Sequence, residues 1–85
     1  MALIVDSALS AADLEGALRD GAGDLLESIT LFDRYDKIGD GKVSLAFTLV
    51  FRASDRTLTG DEVSAMREAA TAVAAAKFGA VVRTA

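Results

Sequence analysis

Three side chains with recognition chemistry gather around one turn of this sequence: Asp33, Tyr35 and Ser44. A carboxylate accepts hydrogen bonds, a phenol ring offers a π-face, and a hydroxyl both donates and accepts. Each also has a plainer role. A tyrosine at the end of a hairpin serves as a lid on the core edge, and an aspartate there serves as a turn-side acceptor. Convergence of the three on adjacent strands adds weight to a binding role without deciding it.

The rest of the inventory argues against an enzyme. Histidine and cysteine are absent from the 85 residues, as are asparagine, glutamine, tryptophan and proline. Without His or Cys the common nucleophile and base pairings cannot be assembled, and sulfur-ligated metal sites and disulfides fall away together. The glycines of Ile38-Gly39-Asp40-Gly41-Lys42 look like a phosphate loop, but no helix follows to supply its dipole. Asp36 and Asp40 lack the ligand spacing and terminal glutamate of a calcium loop. Arg52, Asp55 and Arg56 read as surface ion pairs.

The formal charge of −4 is unfavourable for nucleic acid, because phosphate binding leaves a basic footprint. Its distribution is less unfavourable than its sum. Residues 1–33 carry one basic group against seven acidic ones, residues 34–56 carry five against three, and residues 57–85 balance at three each. The excess of positive charge lies on one segment, with Arg34, Lys37 and Lys42 on it.

That segment is a predicted β-hairpin, and the elements around it can be read in turn. Val43, Leu45, Phe47, Leu49 and Phe51 alternate with Ser44, Ala46, Thr48 and Val50, the period of two of a strand with one buried face. The preceding arm, about Leu25 to Tyr35, is irregular: Phe32 and Asp33 cannot both sit correctly on a simple ladder, and a bulge near Leu31 to Phe32 resolves the conflict. Asp36 to Gly41 forms the connection. Tyr35 is then the one ring available for stacking, since Phe47 and Phe51 fall on the apolar parity.

Ala2 to Val5 reads as a buried strand. Ser10 with Asp13 three residues later predicts a helix start, with Leu14, Ala17 and Leu18 as its stripe from about Ala11 to Ala22, ended by Gly21 and Gly23. Thr59 and Glu62 have capping-box spacing, so a second helix follows to Gly79, with Val63, Met66, Ala70, Val73, Ala74 and Phe78 inward. Ala80 to Thr84 is a final strand carrying Arg83. Strand, helix, strand, strand, helix, strand is the order of an α+β ferredoxin-like βαββαβ sandwich: a four-stranded antiparallel sheet with two helices on one face and the other open. No apolar run approaches the roughly 18 residues of a membrane span, and the pattern of a signal peptide is not seen.

The blocks LFDRY, GKVSLAF and FRASDRTLTGDEV, followed by a C-terminal strand ending in arginine, resemble the ferredoxin-fold anticodon-binding domain at the C-terminus of the bacterial phenylalanyl-tRNA synthetase β subunit. The similarity runs from ALIVD to VVR. Members usually carry an Arg-Asp pair before the first strand, so residues 1–85 are expected to be a single domain taken from a longer chain. The resemblance implies a cytoplasmic, non-catalytic module that holds the anticodon stem-loop of tRNA(Phe). Its implied partners are the rest of the β subunit and the α subunit in a heterotetramer, with a monomeric isolated domain. No cofactor is expected here, ATP and magnesium acting elsewhere in the enzyme. It further implies that Asp33, Tyr35 and Ser44 face the first anticodon base, a guanine, while Arg34, Lys37, Lys42 and Arg83 meet phosphates. The alternative is a ferredoxin-like protein-interaction or small-ligand module; acylphosphatase-like hydrolysis lacks the asparagine it needs.

Overall fold

The alternating strand pairs on both sides and so fixes the sheet. The computed structural model describes residues 1–83, in the order β1 (Ala2–Asp6), α1 (Ala11–Ala22), β2 (Leu26–Gly39), β3 (Lys42–Phe51), α2 (Gly60–Phe78) and β4 (Val81–Val82). All pairs are antiparallel and the strand order is β2-β3-β1-β4. This is the predicted ferredoxin-like arrangement. Both helices cover one face, on which Leu3, Val5, Val43, Leu45 and Phe47 are sealed from solvent together with Leu14 and Leu18 of α1.

Both helix starts follow from their caps. Ser10 has extended backbone, and its Oγ accepts from the Asp13 amide at 3.0 Å. Thr59 makes the reciprocal box: the Glu62 amide donates to Thr59 Oγ1 at 3.2 Å, and the Thr59 amide donates to Glu62 Oε1 at 3.3 Å. Two otherwise orphaned amides are satisfied at once.

The hairpin turn is tighter than the sequence predicts. β2 runs on to Gly39, which pairs with Lys42, so the connection is the dipeptide Asp40-Gly41 rather than Asp36 to Gly41. Both have positive φ, 57° and 70°, the requirement of the type I′ turn that matches the twist of a hairpin. Polar residues at 36 and 37 mask the strand because this edge faces solvent. The predicted bulge is present: Leu31 pairs with Phe47 and Asp33 with Ala46, leaving Phe32 as the extra residue.

The second helix corrects the sequence reading in one respect. Its buried positions are Ala70 and Ala74, whereas Val63 and Met66 are half-buried and Phe78 is 37% exposed. The reason lies at Gly21, which is inside α1 and does not end it. A Cβ there would come within 2.5 Å of the Ala69 carbonyl oxygen and 2.7 Å of the Ala70 Cα. With the helix backbones this close, small residues fill the seam and large ones are pushed to its rim. The last strand is also shorter than expected, Val81–Val82, though the Arg83 amide still donates to the Ala2 carbonyl at 2.8 Å. Thr84 lies outside the described residues.

Candidate nucleic-acid interface

Directly opposed residues of an antiparallel pair share a face, so the register assigns each candidate side chain to one side of the sheet. Tyr35 opposes Ser44, which opposes Ile4, which opposes Val81; Asp33 opposes Ala46, which opposes Ala2. Leu45, Phe47 and Leu49 are on the other, helix-covered side. Asp33, Tyr35 and Ser44 therefore meet on the open face. Lys42, two residues from Ser44 on the same strand and opposite Asp6, shares it.

Arg83 joins them from the far side of the sheet. Its Cζ lies 5.4 Å from the centroid of the Tyr35 ring, within cation–π range. Since β4 and β2 are opposite edges, the guanidinium reaches Tyr35 by crossing above β1 and β3. The floor beneath it is small: Ala2, Ala46 and Ser44. Ser44 is 4% exposed while Tyr35 is 44% exposed, so the hydroxyl sits at the bottom of a shallow trough whose wall is the ring.

Asp33 is exposed, and its Oδ1 accepts from the Arg34 amide at 3.0 Å. This local bond fixes one carboxylate oxygen and leaves Oδ2 without a protein partner among the described residues. Arg34 itself opposes Leu45, which sets it on the side away from Asp33 and Tyr35. Lys37 falls in the irregular stretch between the Tyr35 and Gly39 pairings, near the hairpin tip. The structure thus gathers Asp33, Tyr35, Ser44, Lys42 and Arg83 on the open face, sets Arg34 on the other, and leaves Lys37 unpaired in register near the hairpin tip.

The basic residues divide by what they meet. Arg19 pairs with Glu15 at 3.5 Å, Arg52 with Glu27 at 3.4 Å, Arg56 with Glu62 at 2.6 Å and Lys77 with Asp20 at 3.1 Å. Hydrogen bonds from Arg56 and from the Thr59 amide hold the Glu62 carboxyl below its ordinary value. Arg34, Lys37, Lys42 and Arg83 have no ion pair among the described residues, and neither does Arg67 on α2. Except for Arg67, the unpaired cations belong to the hairpin and to the trough beside it. A polyanion meets cations there that need not first give up a carboxylate.

One aromatic residue escapes the sequence reading. Phe32 is 62% exposed and stands outside the core cluster. As the residue left unpaired between the Leu31–Phe47 and Asp33–Ala46 pairs, it is a second exposed ring next to Asp33 on β2. The parity conflict between Phe32 and Asp33 is the signal that points to it. Among the described residues no group of three or more acidic side chains is placed to hold a metal ion, and no helix is long and apolar enough to cross a membrane.

A family model described as ferredoxin-fold anticodon binding domain matches residues 1–83. The chain is 56% identical to the phenylalanine–tRNA ligase beta subunit of Streptomyces avermitilis, the match covering 99% of this chain and 10% of that protein. It is 53% identical to the same subunit of Thermobifida fusca and 55% identical to that of Corynebacterium jeikeium, each match covering 98% of this chain and 10% of the relative. The chain therefore spans about a tenth of the length of these relatives.

Proposed function

This chain belongs to the ferredoxin-fold anticodon binding domain family, and from that membership we propose that it is the anticodon stem-loop binding module of a phenylalanine–tRNA ligase beta subunit. It binds tRNA(Phe) and performs no chemical step. Aminoacylation, with its ATP and magnesium, belongs to parts of a cytoplasmic enzyme outside this chain, as does assembly with an α subunit into a heterotetramer. Residues 1–85 act as one domain of that longer protein.

The observation that carries this reading is the trough: a carboxylate, a ring and a hydroxyl on one open sheet face, with an arginine already lying on the ring. Guanine suits these groups. Its N1 and N2 donors are complementary to the free Asp33 oxygen, its flat face to Tyr35, and its edge to the Ser44 hydroxyl. A planar guanidinium occupies in the free protein the kind of position a base takes in the complex. An arriving base displaces Arg83 from that ring face and frees it for the neighbouring phosphates. Lys42 flanks the same face, and Arg34 and Lys37 meet the backbone farther round the hairpin.

The test separates base reading from general attraction. The chain and Asp33→Ala are each titrated with RNA hairpins carrying the phenylalanine anticodon loop, with guanine or adenine at the first anticodon position. Asp33→Ala is expected to lose about 1.5–3 kcal/mol with guanine and little with adenine, which lacks the paired donors. A guanine preference unchanged in Asp33→Ala removes Asp33 from the site. Binding that ignores anticodon sequence altogether at low and moderate salt favours a protein-interaction module instead.

A further inference from the structure

We infer that Phe32 is a second stacking platform, holding the nucleotide next to the one on Tyr35, so that this face binds two consecutive splayed bases rather than one. The inference rests on the anticodon-loop reading above. Its own observation is the bulge. In an unbroken ladder, consecutive side chains go to opposite faces and Phe32 would oppose Asp33 through the sheet. Phe32 is left unpaired between the Leu31–Phe47 and Asp33–Ala46 pairs; in a bulge whose two residues together oppose one partner, taking Phe32 and Asp33 as those two puts the ring on the open face beside the carboxylate. The ring is 62% exposed, outside the core, and the open face on either side of the bulge is low: Ala46, which pairs with Asp33, and the exposed Thr30–Thr48 pair. Nothing bulky covers it.

Geometry sets what the ring can hold. Phe32 and Tyr35 are three residues apart on one strand, at most about 10 Å. Stacked bases rise about 3.4 Å per step, so one base cannot cover both rings, and two bases reach them only when unstacked from each other, as in a single-stranded loop. Asp33 lies between the rings, where it can take donors from a base edge but repels phosphate. The backbone is thereby directed outward, toward the unpaired Lys42 and Arg83. The bulge makes this register: it brings a carboxylate and a ring to the same side without a break in the strand.

The test uses the 85-residue chain and the same anticodon-loop hairpin, followed by fluorescence anisotropy at low salt. Phe32→Ala and Phe32→Leu are compared with Tyr35→Ala, on the intact hairpin and on hairpins made abasic at each position flanking the first anticodon base. Thermal melting confirms that each variant is folded; Phe32→Leu keeps an apolar side chain while losing the ring. Both Phe32 variants are expected to bind the intact hairpin about five- to a hundredfold more weakly. That loss should vanish on one of the two abasic hairpins, where Tyr35→Ala still weakens binding. If Phe32→Ala and Phe32→Leu bind like the parent while Tyr35→Ala does not, the second platform is wrong and Phe32 is left to a protein partner. A Phe32 defect of the same size on every hairpin also overturns it. Silence of Tyr35→Ala as well, or no binding by the parent, removes the anticodon-loop reading and this inference together.

Discussion

Strand β3 carries two different proteins on its two faces. Val43, Leu45 and Phe47 are sealed under the helices, while their neighbours Ala46, Thr48 and Val50 look onto the open side, and Ser44 lies at the floor of the trough. The helix side has traded all its freedom for packing. The open side keeps small and polar groups and the Tyr35 ring, and the bulge beside them carries Phe32, which the core does not use. Stability and recognition are thus written on alternate residues of one segment, and substitutions one position apart should report on different properties.

The largest effect expected from that division falls on Phe47. Truncation to alanine removes the largest fully buried side chain and should lower unfolding free energy by about 3–5 kcal/mol. A domain of this size has little more to lose. Tyr35→Ala, on the other face, should shift stability by no more than about 1 kcal/mol, the order of its contact with Arg83, while costing about 1–3 kcal/mol of RNA binding. Chemical denaturation of both variants, set beside their RNA titrations, checks the pair. A parent-like midpoint for Phe47→Ala would mean that the faces are reversed.

A smaller effect sharpens the contrast within one helix. Gly21 and Gly16 both lie in α1, yet a Cβ at Gly16 meets nothing within 4 Å while one at Gly21 collides with the backbone of α2. Gly16→Ala should stabilise by about 0.5–1 kcal/mol, since alanine is the better helix former. Gly21→Ala should instead destabilise by about 1–3 kcal/mol, because backbone atoms cannot step aside as a side-chain tip can. Equal signs in thermal or denaturant unfolding would contradict the close helix approach.

That seam also marks the limit of what local sequence can say. The capped helix starts at Ser10 and Thr59, the alternation of β3 and the bulge at Phe32 are legible because each is set by residues within a few positions of one another. Phe78 misleads because helical periodicity weights large apolar side chains, whereas α2 buries Ala70 and Ala74 against a glycine some fifty residues earlier. Likewise the end of β2 is hidden by polar Asp36 and Lys37 on an edge. In the candidate site, Asp33, Tyr35 and Ser44 can be placed together because one hairpin holds them. Arg83 on the Tyr35 ring cannot, since that contact joins opposite edges of the sheet and exists only once the strand order is known. Arg34, adjacent to Asp33 in sequence, goes to the other face for the same reason that Phe47 does.

The smallest effect concerns charge, where the same division recurs: cations at the helix ends are paired, those of the hairpin are not. Glu62 accepts from Arg56 and from the Thr59 amide, and these bonds keep its carboxyl below the ordinary value of 4.5. A carboxyl with a depressed folded-state pKa contributes stability that is fully present above its unfolded value and is lost as pH falls through the folded one. Glu62→Gln should therefore be less stable than the parent near neutral pH, and the gap should close as pH falls below 4.5 and on through the lowered folded-state value. Thr59→Ala removes the other half of the box, a loss of about 1 kcal/mol, and should leave a residual gap that acid does not erase, because the hydroxyl does not titrate in this range. RNA binding measured at neutral pH should be unchanged in both variants, as neither residue lies on the open face. Paired denaturation curves across this range check the sign: a Glu62→Gln deficit that stays constant in acid would show that the carboxylate's charge contributes nothing to holding α2 at its start, and that the cap is steric and hydroxyl-driven alone.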